Sequence, residues 1–308
     1  MSTDMSFKEQ SFLNSHFFNL QFEEIYENIF VYHDLLPDNA LLHDILIESE
    51  DIFSGELIYN KWTDWYTIGK ICSTNPLSNF YDKKTFEDIY KKSHDVNKTV
   101  KELYLFRRLS ESTLLAVDNY IKHKGINLPE KSFITQPNPA KYNENFHNNK
   151  FGYSMNFHTD YQIGEWWWPG DKFLLTATTY VNDNYDGGEI VFIVDNKMIE
   201  YKPRAGDIIV FPSGNPLYPG NKPYYHGVKV VEKGVKFLVR NYLKYNTDEN
   251  LDIWLQKEEE YGKEQWLQLA MDQAKHATTL LYQSVVNEDG TLKNEIEYSD
   301  LVKQLYKI

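Results

Sequence analysis

The sequence predicts an α+β protein, in which a jelly-roll core of short strands is buttressed by helices and followed by a helical C-terminal extension. Three observations carry that reading. From about residue 173 onward, short runs of Val, Ile, Phe, Leu, Tyr and Thr alternate with Gly, Pro, Asn and Asp turns, the pattern of a β-sandwich or jelly roll. Ahead of them, Val96, Val100, Leu103, Phe106, Leu114, Val117 and Ile121 fall on one helical stripe, which is ordinary core-facing amphipathicity. Beyond Tyr245, apolar residues return to helical spacing. The boundaries that follow are a strand-and-helix support region over 1–130, a β core over 131–246 and a helical extension over 247–308.

Composition bounds the rest. At 308 residues, with 42% hydrophobic and 16% aromatic residues, the chain can build a sizeable core, so wholesale disorder is excluded. A net charge of −13 argues against non-specific binding to nucleic acid or to an anionic membrane. The one cysteine, Cys72, rules out an internal disulfide framework and suits a reducing compartment. The opening Met1-Ser2-Thr3-Asp4 has no secretory character, and no apolar run approaches membrane-spanning length. A cytoplasmic protein is expected. Its richness in Asn, Lys, Tyr and Ile suits an AT-rich genome such as that of a virus or phage.

In order along the chain, residues 1 to about 25 have no clear period. Ile29 to His33 reads as a short strand. Pro37 suits a helix first turn, and Leu41, Leu42, Ile45 and Leu46 repeat at helical spacing. His33 and His43 are read as packing or solvent residues. Residues 53 to 83 are aromatic-rich and irregular, a covering insertion. The long helical stripe from Val96 ends at Lys124, with Gly125 as its stop and Pro129 just beyond. Residues 132 to 152 are extended and polar. Strands are expected over Phe173–Val181, Glu189–Val194, Met198–Lys202 and Asp207–Phe211. A Pro- and Tyr-rich loop, Ser213 to Tyr225, runs into His226. After Tyr245, Leu251, Trp254 and Leu255 stripe one helix, and Ala270, Ala274, Ala277, Leu281 and Val285 another. These helices pack on the core or form an oligomer contact.

Only one stretch, His158 to Arg240, holds residues able to do chemistry together. His158 and Asp160 are two positions apart, so an extended chain points both to one side. His226 follows 68 positions later and meets them if the sheet folds back on itself. Two imidazoles and one carboxylate on one face of a metal leave other positions open, the arrangement of non-haem Fe(II) oxygenases. Taken alone, an H-x-D pair in a chain with nine histidines is a weak signal. The ordered set is specific: His158-Thr159-Asp160, Tyr180-Val181-Asn182, Gly187-Gly188-Glu189, Pro203-Arg204-Ala205-Gly206-Asp207, His226, and Lys236 ten residues on. In that order these motifs resemble the Fe(II)/2-oxoglutarate-dependent dioxygenase superfamily, and most closely its prolyl 4-hydroxylase-like branch.

The resemblance implies a double-stranded β-helix (jelly roll) core and a metal site made of His158, Asp160 and His226. It further implies Fe(II), 2-oxoglutarate as co-substrate and O₂, with ascorbate as a candidate auxiliary reductant. Lys236 stands at the spacing of the cation that grips the distal carboxylate of 2-oxoglutarate. Arg240 shares its strand face and is the second candidate, since a guanidinium offers a bidentate fork. Tyr153, with Tyr142 behind it, and Thr179 or Thr176 are candidates to complete the co-substrate site. Trp166 and Trp168, from the run Trp166-Trp167-Trp168, and Tyr225 are candidates for the substrate rim. The implied activity is hydroxylation of an unactivated C–H in a peptidyl or free amino acid, with proline the leading guess. Another small metabolite, a non-catalytic metal-binding β-sandwich module and a cupin-type metalloprotein remain open alternatives. The partners expected are a small-molecule or peptide substrate and a second copy of the chain through the C-terminal helices.

Overall fold

The computed structural model describes residues 20–33, 35–36, 39–50, 96–128, 132–134, 138–146, 153–160, 171–214 and 222–246, with scattered positions between 256 and 293. The aromatic stretch 53–83, the tryptophans Trp166 and Trp168, Cys72 and, apart from those scattered positions, the helical extension lie outside the described residues.

The described elements are β1 (Phe22–Tyr26), β2 (Ile29–Tyr32), α1 (Asn39–Glu50), α2 (Val96–Lys124), β3 (Ser132–Ile134), β4 (Asn138–Tyr142), β5 (Tyr153–His158), β6 (Asp171–Tyr180), β7 (Asp186–Gly187), β8 (Ile190–Val194), β9 (Lys197–Tyr201), β10 (Ile208–Pro212), β11 (Tyr225–Lys229), β12 (Val231–Lys233) and β13 (Lys236–Asn246). A seven-stranded sheet runs β1-β2-β10-β6-β13-β3, with β4 also paired to β13, and a four-stranded sheet runs β5-β11-β8-β9. Every described pairing is antiparallel. Antiparallel sheets of this kind fit a jelly-roll core. None of the described helices is long and apolar enough to cross a membrane.

Period-two alternation divides the large sheet into two faces. Ile29, Val31, Ala140, Tyr142, Tyr180, Ile209, Phe211 and Leu238 meet Ile190, Phe192, Val194 and Val228 of the small sheet in one buried cluster. The opposite face, with Phe30, Tyr32, Leu175, Ala177, Ile208, Val210 and Leu243, packs on Ala116, Val117 and Tyr120 of α2. Of the helical stripe, Val117 and Ile121 are shown packed on this cluster, and Gly125, with φ of 62°, ends the helix as expected. In β8, all five residues of Ile-Val-Phe-Ile-Val are buried, which is why that strand is a continuous apolar run rather than an alternating one.

The strands expected over 173–181, 189–194, 198–202 and 207–211 all form, with ends shifted by a residue or two. The sequence reading missed β1, whose Phe22 stacks on Phe30 at 4.2 Å, because two exposed glutamates break its apolar pattern and Phe22, Ile25 and Tyr26 are only partly buried. It also left β3, β4 and β5 as extended chain. These are short strands whose pairing depends on β13 and β11 rather than on their own composition.

Candidate metal centre

β5 ends at His158, and Asp160 follows two residues later. β11 brings His226 directly opposite His158 in register. Donor atoms of the three side chains all lie within 4.8 Å of one another, and all three residues are buried. His158 Nε2 is 3.5 Å from Asp160 Oδ1, and His226 Nε2 is 3.4 Å from Asp160 Oδ2. The two imidazole rings are 4.4 Å apart. Three donors this close suit one ion with bonds of roughly 2 Å, so the donor set fits a ferrous ion held on one face.

The site is braced from outside. His226 Nδ1 lies 3.2 Å from the Tyr224 carbonyl. A proton on Nδ1 bonds to that oxygen and leaves the Nε2 lone pair turned toward Asp160. Phe211 packs edge-on to the His226 ring at 4.8 Å, which fixes its plane. Thr176 Oγ1 donates to Asp160 Oδ2 at 2.6 Å and lies 2.9 Å from Ser213 Oγ. Since the single Thr176 proton goes to the carboxylate, Ser213 must donate to Thr176. Gly214, with φ of 88°, lets the chain pass Thr159: a Cβ there would sit 2.9 Å from the threonine Cβ.

Electrostatics favour ligands that are ready to bind. Burial alone would raise the Asp160 carboxyl. The His226 and His158 imidazoles and the Thr176 hydroxyl overcome that and hold it well below the ordinary carboxylate range. Burial, opposed by Asp160, brings His226 down to about 4, so its imidazole is neutral at pH 7.

Lys236 lies deeper along the same inward face of β13, fully buried. Its Nζ donates to the Gly188 carbonyl at 2.5 Å and sits 4.9 Å from the Tyr180 ring, with Tyr142 and Tyr185 each at 5.8 Å. Burial and the nearby Lys202 pull it down to about 7. Two further motifs build this floor. Asn182 accepts from the Phe237 N–H at 2.7 Å and donates to the Val235 carbonyl at 2.8 Å, bracketing Lys236. Gly188, with φ of 68°, presents its carbonyl to Lys236, and a Cβ there would press on Lys236 Cδ at 3.4 Å. A lysine enclosed by aromatic rings with only one carbonyl partner fits a carboxylate-bearing ligand.

Arg240 also faces inward, opposite Thr178 in register. Its Nε is buried without a hydrogen-bond partner. Its charge acts on Asp160, His226, Tyr142 and Tyr242.

Three expected site residues stand elsewhere. Tyr153 pairs with Lys229, packs on Phe157 at 5.0 Å and feels Glu200. Register shifts on both sides of Val228 turn it to the outer face of the small sheet. Tyr142 takes the inward position, influenced by Arg240 and Asp160. Thr179 lies on the helix side, 3.4 Å from Thr113 of α2, because Tyr180 next to it points inward. Thr176, the other threonine considered, bonds Asp160 instead. Tyr225 sits between the inward Tyr224 and His226, so alternation aims it away from the metal side.

Residues 143–244 match the family model described as the 2OG-Fe(II) oxygenase superfamily. No curated protein sequence matches the chain. Among solved structures, the chain is similar to the viral collagen prolyl hydroxylase of Paramecium Bursaria Chlorella virus-1, at 14% identity and a TM-score of 0.44, over 72% of this chain and 91% of that one. It is also similar to the Trichoplax adhaerens prolyl hydroxylase in complex with a hypoxia inducible factor peptide, at 13% identity and a TM-score of 0.42, over 82% of this chain and 97% of that one. A third, the Arabidopsis thaliana dioxygenase for auxin oxidation in its 2-oxoglutarate complex, has 11% identity and a TM-score of 0.44, over 72% and 84%.

Proposed function

We propose, from the match of residues 143–244 to the 2OG-Fe(II) oxygenase superfamily model, that the protein is a hydroxylase of an unactivated C–H in a peptidyl or free amino acid. The observation that carries the reading is the convergence of His158, Asp160 and His226 above a buried lysine. Fe(II) and 2-oxoglutarate, once held there, would supply the oxidising power for hydroxylation, with succinate and CO₂ as the co-products.

The chain's own residues do the rest. His158, Asp160 and His226 hold the ion and leave the other side of it open. Thr176, itself held by Ser213, engages Asp160 Oδ2 and so favours Oδ1 as the metal-binding oxygen. Lys236 receives the distal carboxylate of 2-oxoglutarate, exchanging the weak solvation of one carbonyl for an ion pair inside an aromatic cage. Tyr180 and Tyr142 wall that ligand's path from the floor to the metal and keep it free of bulk water. The carboxylate at Asp160, which completes the donor set, supports hydroxylation as the reaction. The prolyl hydroxylase-like reading of the substrate is supported by the ordered motifs and by no residue that reads a proline ring.

Anaerobic addition of Fe(II) and 2-oxoglutarate is expected to give the weak visible absorption band of the chelate. Succinate release screened over free amino acids and proline-containing peptides then identifies the substrate. Metal binding without that band would leave a cupin-type protein instead. Lys236→Ala is expected to raise the 2-oxoglutarate requirement about a hundredfold, the cost of losing a buried ion pair, and far more than Arg240→Ala does. The reverse ranking would make Arg240 the anchor.

A further inference from the structure

Three cations of β13 share one parity: Lys244 is spent over the Phe173 ring at 4.1 Å, and Lys236 and Arg240 are left where a single co-substrate needs only one. Lys236 and Arg240 are four residues apart, about 13 Å along an extended strand, with the inward Leu238 between them. Their electrostatic surroundings differ. Lys236 feels Lys202 and Glu189 at the floor, whereas Arg240 acts on Asp160 and His226 at the metal. Along β13 from Lys236 to Lys244, every residue is buried except Arg240, which keeps partial exposure. An inward-facing side chain that keeps accessible surface can be reached by a small molecule, and the charge of this one is felt by the metal-binding Asp160 and His226. Its Nε is nevertheless sealed off with no hydrogen-bond partner.

A count of formal charge sharpens the point and rests on the oxygenase reading above. The two charges of Fe(II) cancel against Asp160 and the metal-binding carboxylate of 2-oxoglutarate. The distal carboxylate cancels Lys236. The guanidinium of Arg240 is left over, and its buried Nε has no hydrogen-bond partner among the described residues.

We propose that Arg240 is a specificity-determining residue that binds a free carboxylate of the substrate, so that the natural substrate is a small carboxylic acid, such as a free amino acid, rather than an internal residue of a peptide. The guanidinium grips the carboxylate by its fork, and Thr178 lies beside it on the neighbouring strand. The carboxylate end is thereby fixed next to the metal, and the remainder of the molecule is presented to the open coordination positions.

The test uses propionate and propionamide, which share shape and differ in charge. Zn(II)-loaded full-length protein saturated with 2-oxoglutarate, so that Lys236 is already engaged, is titrated with each and read by saturation-transfer NMR. Wild type is expected to prefer propionate by at least about tenfold, the worth of a charge-assisted hydrogen bond. Arg240→Gln should lose that preference, and Arg240→Lys should recover part of it, a rescue that a packing role would not give. Equal binding of acid and amide by wild type, or a preference that survives in Arg240→Gln, overturns the proposal. So does loss of the Fe(II)–2-oxoglutarate absorption band in Arg240→Lys, which would make Arg240 a co-substrate residue. If wild type itself gives no band, the oxygenase reading has failed. A band without a propionate preference sinks only the carboxylate inference.

Discussion

Two aspartates, Asp160 and Asp207, are almost equally hidden in this protein, at 5% and 2% exposure. Each has an imidazole beside it and a hydroxyl bonded to it. Asp207 accepts from Tyr201 at 2.7 Å and from the Arg204 backbone N–H at 2.8 Å, and His33 Nδ1 lies 2.7 Å away. Its oxygens are spent tying β2, β9 and the 203–207 turn together. Around Asp160 stand the Nε2 atoms of His158 and His226, at 3.5 and 3.4 Å, nitrogens of the type that can turn to a metal. Thr176 donates to the carboxylate from its outer side. A buried acid ringed by obligate hydrogen-bond donors is a fastener, and one ringed by other Lewis bases is a coordination site. Burial does not separate the two, but the identity of the neighbours does.

Substitutions can press on that contrast. The largest effect is expected for Asp160→Ala, which should abolish substrate-coupled succinate release and lower Fe(II) affinity by more than about a hundredfold, measured by metal titration. Full activity in that variant would remove the triad. Asp207→Asn should do the opposite, leaving metal affinity within about twofold while costing about 3 kcal/mol of stability, because a buried network loses an acceptor. Chemical denaturation measures it, and an unchanged midpoint would deny Asp207 its role. Thr176→Val should weaken metal binding by about 10- to 100-fold with a smaller change in stability. A loss confined to stability would mean that the hydroxyl does not orient the ligand.

The smallest change near neutrality is with pH. His226 in the folded protein lies near 4, below the usual ~6.5 of a histidine. Between those values the unfolded chain binds more protons, so metal-free stability should fall as pH drops through that window. Asp160, also depressed, acts in the same direction lower down. Protonation of His226 in the metal-free protein, followed by NMR of its imidazole, should have its midpoint near 4, and one at ~6.5 would contradict the shielded imidazole.

Much of this was legible in the residues. H-x-D at 158–160, the distal His226 and the basic position at 236 located the centre, and period two put Arg240 on the face of Lys236. The same rule excludes Tyr225 once His226 is taken as inward, and excludes Thr179 once Tyr180 is. Each had been chosen for chemical suitability ahead of parity. Tyr153 is a different failure. The shifts around Val228 that turn it outward arise from how β5 and β11 fit together, and no local pattern encodes them. The support given by Ser213 to Thr176 was equally hidden, since two lone hydroxyl residues 37 positions apart carry no spacing signal.

β13 is at once the frame and the lining of the chamber. It pairs with β6 over nearly its whole length and with β4 and β3 on its other edge, while Lys236, Arg240 and Tyr242 project from it. A single inserted residue near Phe237 would rotate everything beyond it by half a turn. Val239 and Asn241 would then come to face the iron, and the guanidinium would be driven into the helical layer. Two inserted residues would restore the facing but slide the arginine one rung along. Length changes in this strand should therefore be far less tolerated than point changes of its outward residues, and a library of insertions and substitutions across 236–246, scored for folded protein, would expose that asymmetry.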